Sequence, residues 1–301
     1  MKAAGTELKP INFKVLGAPL NKLLTAIGNK LSREWPSKYR SVTGARELFV
    51  MHLRAAHKAL LSALYLCGDL PPDPRREAEF SVSLAPINRA LLDSLFTILF
   101  VLEDVPARCQ WFNEAGWREA RLELDRYIAE YGTLPEWQDW LSDLTRFVAT
   151  GVSLYSLTPE QTSDPRALRS WLTAGNMCNY GVSPTNPLDA TKAFMKYLND
   201  GFYIDLSQQV HLTAWGTMKR TGFLLDELRM DPSTEAQIKK YRYYQIGQTV
   251  VFALAIAAEI EAHFDFGLRQ DALYVWSLAA SLIVIGDEMY RKRYEELLKG
   301  Y

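Results

Sequence analysis

The sequence is poor in the features that announce the commoner chemistries. Three cysteines in 301 residues, Cys67, Cys109 and Cys178, are an odd number at wide and irregular spacing. Neither a disulfide framework nor a paired-cysteine metal knuckle can be drawn from them. There is no Gly-rich phosphate loop, no G-x-S-x-G nucleophile elbow and no H-E-x-x-H zinc helix. His263 follows Glu259 and Glu261, but not at the Glu-x-x-His spacing that carboxylate-bridged metal bundles use twice. No metal and no cofactor is therefore expected. Long apolar runs are also short in supply. The longest, residues 272–286 (ALYVWSLAASLIVIG), and a second over 249–260 closed by Glu259 and Glu261 both fall below the roughly 20 residues that cross a bilayer. They read as core helices, and no transmembrane span is expected. The opening MKAAGTELKPINFKVLG lacks the unbroken apolar stretch of a secretory signal, so the expected setting is a reducing cytoplasm.

Alternation of β-branched residues is nearly missing as well, which argues against strands. Apolar residues recur instead at steps of three and four along most of the chain, and 48% of it is hydrophobic, ample for a real core. The fold class predicted is all-α: a single large bundle of about nine helices with an N-terminal basic arm. The arm is placed at residues 1–40 and the bundle at 41–301. Helices are predicted near 43–66, 78–104, 106–131, 134–150, 165–175, 188–217, 219–229, 233–265 and 269–299, parted by Gly, Pro, Asn and Asp clusters. In the arm, Leu20, Leu23, Leu24, Ile27 and Leu31 share one stripe opposite Lys22 and Lys30, a short amphipathic helix ended by Trp35-Pro36.

A net charge of −1 conceals an asymmetry. Residues 1–58 hold 11 Lys+Arg against 3 Asp+Glu, a balance of +8, while the remainder holds 23 against 32, a balance of −9. A local excess of that size suits nucleic acid, an anionic lipid surface or an acidic protein, and equally a solvated basic face.

Two polar strips interrupt the apolar helices. Arg89, Asp93 and Thr97 lie four apart on an otherwise apolar rod, where an arginine and an aspartate must pair because either alone bears a large desolvation cost. Tyr203, Ser207 and His211 are likewise four apart, bringing a phenol, a hydroxyl and an imidazole onto one helical face. His211 has the chemistry of a general acid or base near neutral pH, with Ser207 or Tyr203 to orient it. A hydrogen-bonded packing histidine is the alternative, since Asp205 points to another face and no carboxylate completes a triad.

The order of Asn88-Arg89…Asp93, then Trp171, then a tyrosine followed by Ser207-x-x-x-His211 resembles an uncharacterised group of bacterial helical domains grouped loosely with abortive-infection proteins and HEPN nucleases. The resemblance covers about residues 45–216. It implies a metal-independent ribonuclease or RNA binder in a bacterial stress or phage-defence response, with His211, Ser207, Tyr203, Arg89 and Asp93 as site residues. Two departures stand out. Asp93 occupies the place of a glutamate, and the HEPN arginine, set off from the histidine by four to six intervening residues, is missing, because those places hold Ile204, Asp205 and Leu206. Arg46 and His52 do meet that spacing, although His52 shares an apolar stripe with Leu48, Ala56 and Ala59.

Cations interleave with aromatic residues around Arg33, Lys38 and Arg40, and again around Lys239, Lys240 and Arg242, the pattern in which cations take phosphates while rings stack on bases of single-stranded RNA. A non-catalytic interaction or oligomerisation module, using the apolar last two helices against a second copy or a partner protein, is the alternative reading. A membrane-acting effector using the amphipathic arm and the apolar run Ala272–Gly286 is a third.

Overall fold

The computed structural model describes residues 13–67, 74–183, 189–211, 232–280 and 288–299. Within them the chain forms α1 (Phe13–Arg33), α2 (Ala45–Cys67), α3 (Pro74–Leu102), α4 (Val105–Tyr131), α5 (Gln138–Leu154), the short α6 (Pro159–Ser163) and α7 (Ala174–Asn179), α8 (Ala190–Leu198), α9 (Ile204–Val210), α10 (Pro232–Phe264), α11 (Arg269–Ala279) and α12 (Glu288–Lys299). The described residues contain no strand, as the missing alternation predicts. The helix predicted at 219–229 lies outside the described residues.

The starts follow from local chemistry. Asp104, Asp189 and Thr173 accept the N–H groups of Ala107, Lys192 and Asn176 at the heads of α4, α8 and α7, and Thr158 with Gln161 closes a reciprocal box on α6. Each satisfies a donor that the first turn of a helix leaves orphaned. Two boundaries depart from expectation. The single helix predicted at 188–217 is α8 and α9 joined through one π-helical turn at Asn199–Tyr203. The helix predicted at 165–175 is a 3₁₀ turn at Pro165–Ala167 followed by extended chain and α7, because Asp164-Pro165 starts a turn that is not continued.

α10 is the central rod. Every residue from 245 to 261 is buried, and the helix packs most extensively against α3 and then α2. From α3, Leu92, Leu95, Phe96, Leu99 and Phe100 enter the same core. Burying side chains of that kind is worth about 1.5–3 kcal/mol each, so the α3–α10 seam dominates the stability. The stripe of the basic arm belongs to this core too. Leu20, Leu24, Ile27 and Leu31 of α1 are buried against α2, α10 and α11, so residue 40 does not mark a break in packing.

The described parts of the last two helices also contribute apolar side chains to this core. α11 buries Ala272, Val275, Trp276 and Ala279, and α12 buries Tyr290, Tyr294 and Leu298. The two glutamates of the apolar run are accommodated rather than exposed. Glu259 is clasped by Arg293 at 2.5 and 3.0 Å, while Glu261 accepts the Leu268 N–H at 2.7 Å, and burial pushes its carboxyl above the usual range. Two helical stretches, Val82–Leu102 and Ala236–Phe264, are long and apolar enough to cross a membrane, longer than the uninterrupted runs in the sequence suggested; 72% and 89% of an apolar 18-residue window in each are buried inside the bundle.

A second, smaller core joins α4 to α5. Trp117 donates its indole N–H to the Val148 carbonyl at 2.9 Å and lies against Gly151, where a Cβ would come within 2.5 Å of the ring.

Candidate functional site

The two polar strips meet. Arg89 of α3 donates from Nε to Ser207 Oγ of α9 at 2.9 Å, its guanidinium lies 3.5 Å over the Tyr203 ring, and it pairs with Asp93 one turn along its own helix. Four of the five residues singled out as catalytic, Arg89, Asp93, Tyr203 and Ser207, therefore form one cluster. Burial, and then the neighbouring Asp93 carboxylate, push the Tyr203 phenol above its ordinary range. His211 is at the exposed end of α9, where its backbone N–H closes on Ser207 O at 3.0 Å. Its imidazole makes no hydrogen bond among the described residues.

The seam continues inward through residues that sequence reasoning passed over. Asp205, set aside as pointing to another face, does so: it accepts from Gln209 Nε2 at 2.6 Å, and Gln209 accepts from the Tyr241 hydroxyl of α10 at 2.7 Å. Deeper still, Asn88 donates to the Gln245 carbonyl and side chain at 2.9 and 2.8 Å and accepts from the Thr249 hydroxyl at 2.6 Å. Burial, followed by the Asp205 charge, pushes Tyr244 up to about 12. The signal for these partners was the trio Gln245, Gln248 and Thr249 breaking an apolar helix, since buried polar groups demand partners.

Arg89 is largely buried, stacks on Tyr203, donates its Nε to Ser207 and is paired with Asp93, although its buried Nη1 makes no hydrogen bond of good geometry, so an incoming phosphate would compete with Ser207 and Asp93 for the guanidinium. The seam ties α3, α9 and α10 together.

Arg46 and His52 do not meet. Six residues along a helix turn the second side chain about 120° away from the first. Arg46 is exposed and salt-bridged to Glu47 at 2.8 Å, whereas His52 packs edge-on to Phe112, and burial lowers its pKa to about 4. The remaining cationic candidates separate into two places. Lys240 is exposed near the start of α10 and Arg242 lies beside Tyr243, while the side chain of Lys239 is outside the described residues. Lys38 lies over Tyr39, whose hydroxyl meets His263 Nε2 at 2.9 Å near the other end of α10. With 23 helical steps from 240 to 263, the two groups are roughly 35 Å apart at 1.5 Å per residue.

Three arginines do converge. Arg33, Arg40 and Arg46 line a surface cavity of about 390 Å³ together with Ser32, Trp35 and Glu47. Arg33 and Arg40 are exposed and form no ion pair among the described residues, so the cavity carries a positive excess over its one carboxylate. Its floor is set by Gly44 at φ +72°, a left-handed conformation suited to glycine, where a Cβ would come 2.9 Å from the Asn113 amide. That amide donates to Thr43 O at 2.8 Å and fastens the head of α2 to α4. The structure brings Arg33 and Arg40, expected to bind RNA, together with Arg46, which the histidine spacing had suggested for another role.

No family model, curated protein or solved structure matches the chain. Among the described residues no group of three metal-ligating side chains is assembled.

Proposed function

We propose that this chain is a helical protein that binds single-stranded RNA through the Arg33–Arg40–Arg46 cavity, without cleaving it. The observation that carries the reading is that three arginines, two of them unpaired among the described residues, line one cavity beside Trp35. Guanidinium forks match phosphate oxygens in pairs, and release of condensed counterions drives such binding. Cleavage has less support. A general acid or base needs a partner to orient it, His211 has none among the described residues, and the nearest arginine on the seam is occupied by Ser207, Tyr203 and Asp93. The resemblance to HEPN-type proteins supplies the setting, a bacterial stress or phage-defence response. Anisotropy of a fluorescein-labelled ten-nucleotide RNA tests the binding: wild type is expected to retain it, and the triple Arg33→Ala, Arg40→Ala, Arg46→Ala variant to lose most of it. Incubation of unlabelled RNA with wild type and His211→Ala is expected to leave it intact in both, and products that vanish with His211→Ala would restore the nuclease reading.

A second reading has one observation behind it. Trp140, Phe147 and Leu154 of α5 are 42%, 55% and 52% exposed and fall seven residues apart, an apolar strip facing solvent. Such a strip suits pairing with the same strip on a second copy. Light scattering at rising concentration checks it, with Phe147→Asp expected to keep the protein monomeric.

A further inference from the structure

A second cavity, of about 430 Å³, opens beside α4 between Arg108, Trp111, Arg169 and Tyr180, with the amides of Gln110 and Gln161 and the carboxylates of Asp104 and Glu114 also lining it, so that its charge is balanced and only the outlying Arg169 is available to a phosphate. That volume lies in the range of small-ligand pockets, about 300–1,000 Å³. Its walls are aromatic. Trp111 and Tyr180 have ring centroids 5.5 Å apart, and both pack on Phe100 at 5.8 and 5.4 Å. Behind them Trp171 closes on Trp111 and Phe112 at 5.7 and 5.0 Å. The Trp111 indole N–H is held by the Ser170 carbonyl at 3.2 Å, which fixes the ring that faces the opening.

The two guanidinium groups differ. Arg108 lies 4.0 Å over Phe100, donates to the Phe100 carbonyl and is balanced by Glu103 at 2.8 Å, so it belongs to the wall. Arg169 is exposed, lies 5.8 Å from the Trp111 centroid and forms no ion pair among the described residues. The rim amides are also only partly used. Gln110 donates from Nε2 to Glu114 and to the Tyr155 carbonyl, which leaves its oxygen as an acceptor. Gln161 accepts the Thr158 N–H on its oxygen, which leaves its NH₂ as a donor. Fixed rings, one donor, one acceptor and one outlying cation are what a planar heteroaromatic ring attached to a phosphate requires.

α4 links this cavity to the basic one. Asn113, which holds Thr43 O and backs on Gly44 at the floor of the arginine cavity, lies within one helical turn of Gln110 and Glu114. We infer that the two cavities form one track, in which Arg33, Arg40 and Arg46 hold consecutive phosphates and a single unstacked nucleobase lies against the wall that Trp111 and Tyr180 make together, with Arg169 on its flanking phosphate. This rests on the RNA reading above and adds a base-binding pocket to it.

The test compares a ten-nucleotide oligouridylate with the same backbone made abasic throughout, so that phosphate charge is kept and bases are removed. Wild type is expected to bind the oligouridylate about tenfold more tightly, as expected for one base stacked on an aromatic wall. Tyr180→Leu and, separately, Arg169→Ala change exposed side chains. Tyr180→Leu should abolish the difference by weakening only the base-bearing oligomer, and Arg169→Ala should weaken both oligomers. The arginine-cavity triple variant should weaken both alike while the tenfold difference persists. Equal binding of the two oligomers by wild type, or a difference that survives Tyr180→Leu, overturns the base pocket and leaves phosphate binding standing. Failure of both oligomers to bind overturns the RNA reading itself and the pocket with it.

Discussion

Replacing Arg89 with methionine separates a structural seam from a working one. The guanidinium gives a charge-assisted hydrogen bond to Ser207 at 2.9 Å, worth about 1.5–3 kcal/mol, and a stacking contact with Tyr203 at 3.5 Å, worth about 1–2 kcal/mol where water is excluded. Its pair with Asp93 adds little, at most about 1 kcal/mol, because the Asp93 side chain is 52% exposed. Against these stands the cost of burying a guanidinium whose side chain is only 16% exposed, which methionine removes while filling similar volume. The net loss expected is about 2–3 kcal/mol. Ser207→Ala, which leaves Nε without its acceptor, should cost about 1–2 kcal/mol, and the double variant should fall about 1 kcal/mol short of additive because the two share one bond. Urea unfolding followed by circular dichroism measures all three, with midpoints shifting at constant slope. RNA binding by Arg89→Met, measured where it is fully folded, should equal wild type. A variant of unchanged stability that no longer binds RNA would refute the reasoning, since the arginine would then act on ligand and not on Ser207.

Three further outcomes follow from the packing. Gly151→Ala ordinarily gains about 1 kcal/mol in a helix, but here the added Cβ meets the Trp117 ring, so a net loss of about 1–2 kcal/mol is expected, with a shift in tryptophan emission. Stability should be level above about pH 6.5 and fall as the pH drops toward 4. His52 is held at about 4 by burial while the unfolded chain takes its proton near 6.5, a gap worth up to about 3 kcal/mol. His57 and His263 are lowered in the same sense, and His52→Gln should flatten the acid limb of a stability profile. Burial pushes the Cys109 and Cys178 thiols up to about 12 and 11, so neither should react with a thiol reagent in the native protein and both should react once it is unfolded. Mass spectrometry of labelled peptides reads this directly.

The helical fold was legible because its signals are local. A period of three to four, aspartate and threonine caps and proline breaks all act within a few residues, and they located most of the described helices. Spacing also showed that Arg89 pairs with Asp93 and that Tyr203 shares a face with Ser207. It held nothing about the approach of α9 to α3, which joins those pairs, because that depends on packing around α10. The π-helical turn at Asn199–Tyr203 hid for the same reason: one extra residue in a turn leaves no compositional mark. His211 keeps helical register with Ser207, its N–H bonded to the Ser207 carbonyl, but it sits at the exposed end of α9, where its imidazole makes no hydrogen bond among the described residues. The arginine cavity was half visible. Arg33 and Arg40 stood out as cations among aromatic residues, whereas Arg46 joins them only because the chain folds back through the turn at Ser37–Tyr39 and the left-handed Gly44.

The salt dependence of RNA binding tests the central claim most directly. Each phosphate neutralised on a single strand contributes about −0.7 to the slope of log affinity against log salt. Wild type should therefore give a clear negative slope with the ten-nucleotide RNA, and the Arg33→Ala, Arg40→Ala, Arg46→Ala variant a slope shallower by about 2. An unchanged slope in the triple variant, or RNA binding by wild type that ignores salt, would contradict the assignment of the phosphates to this cavity.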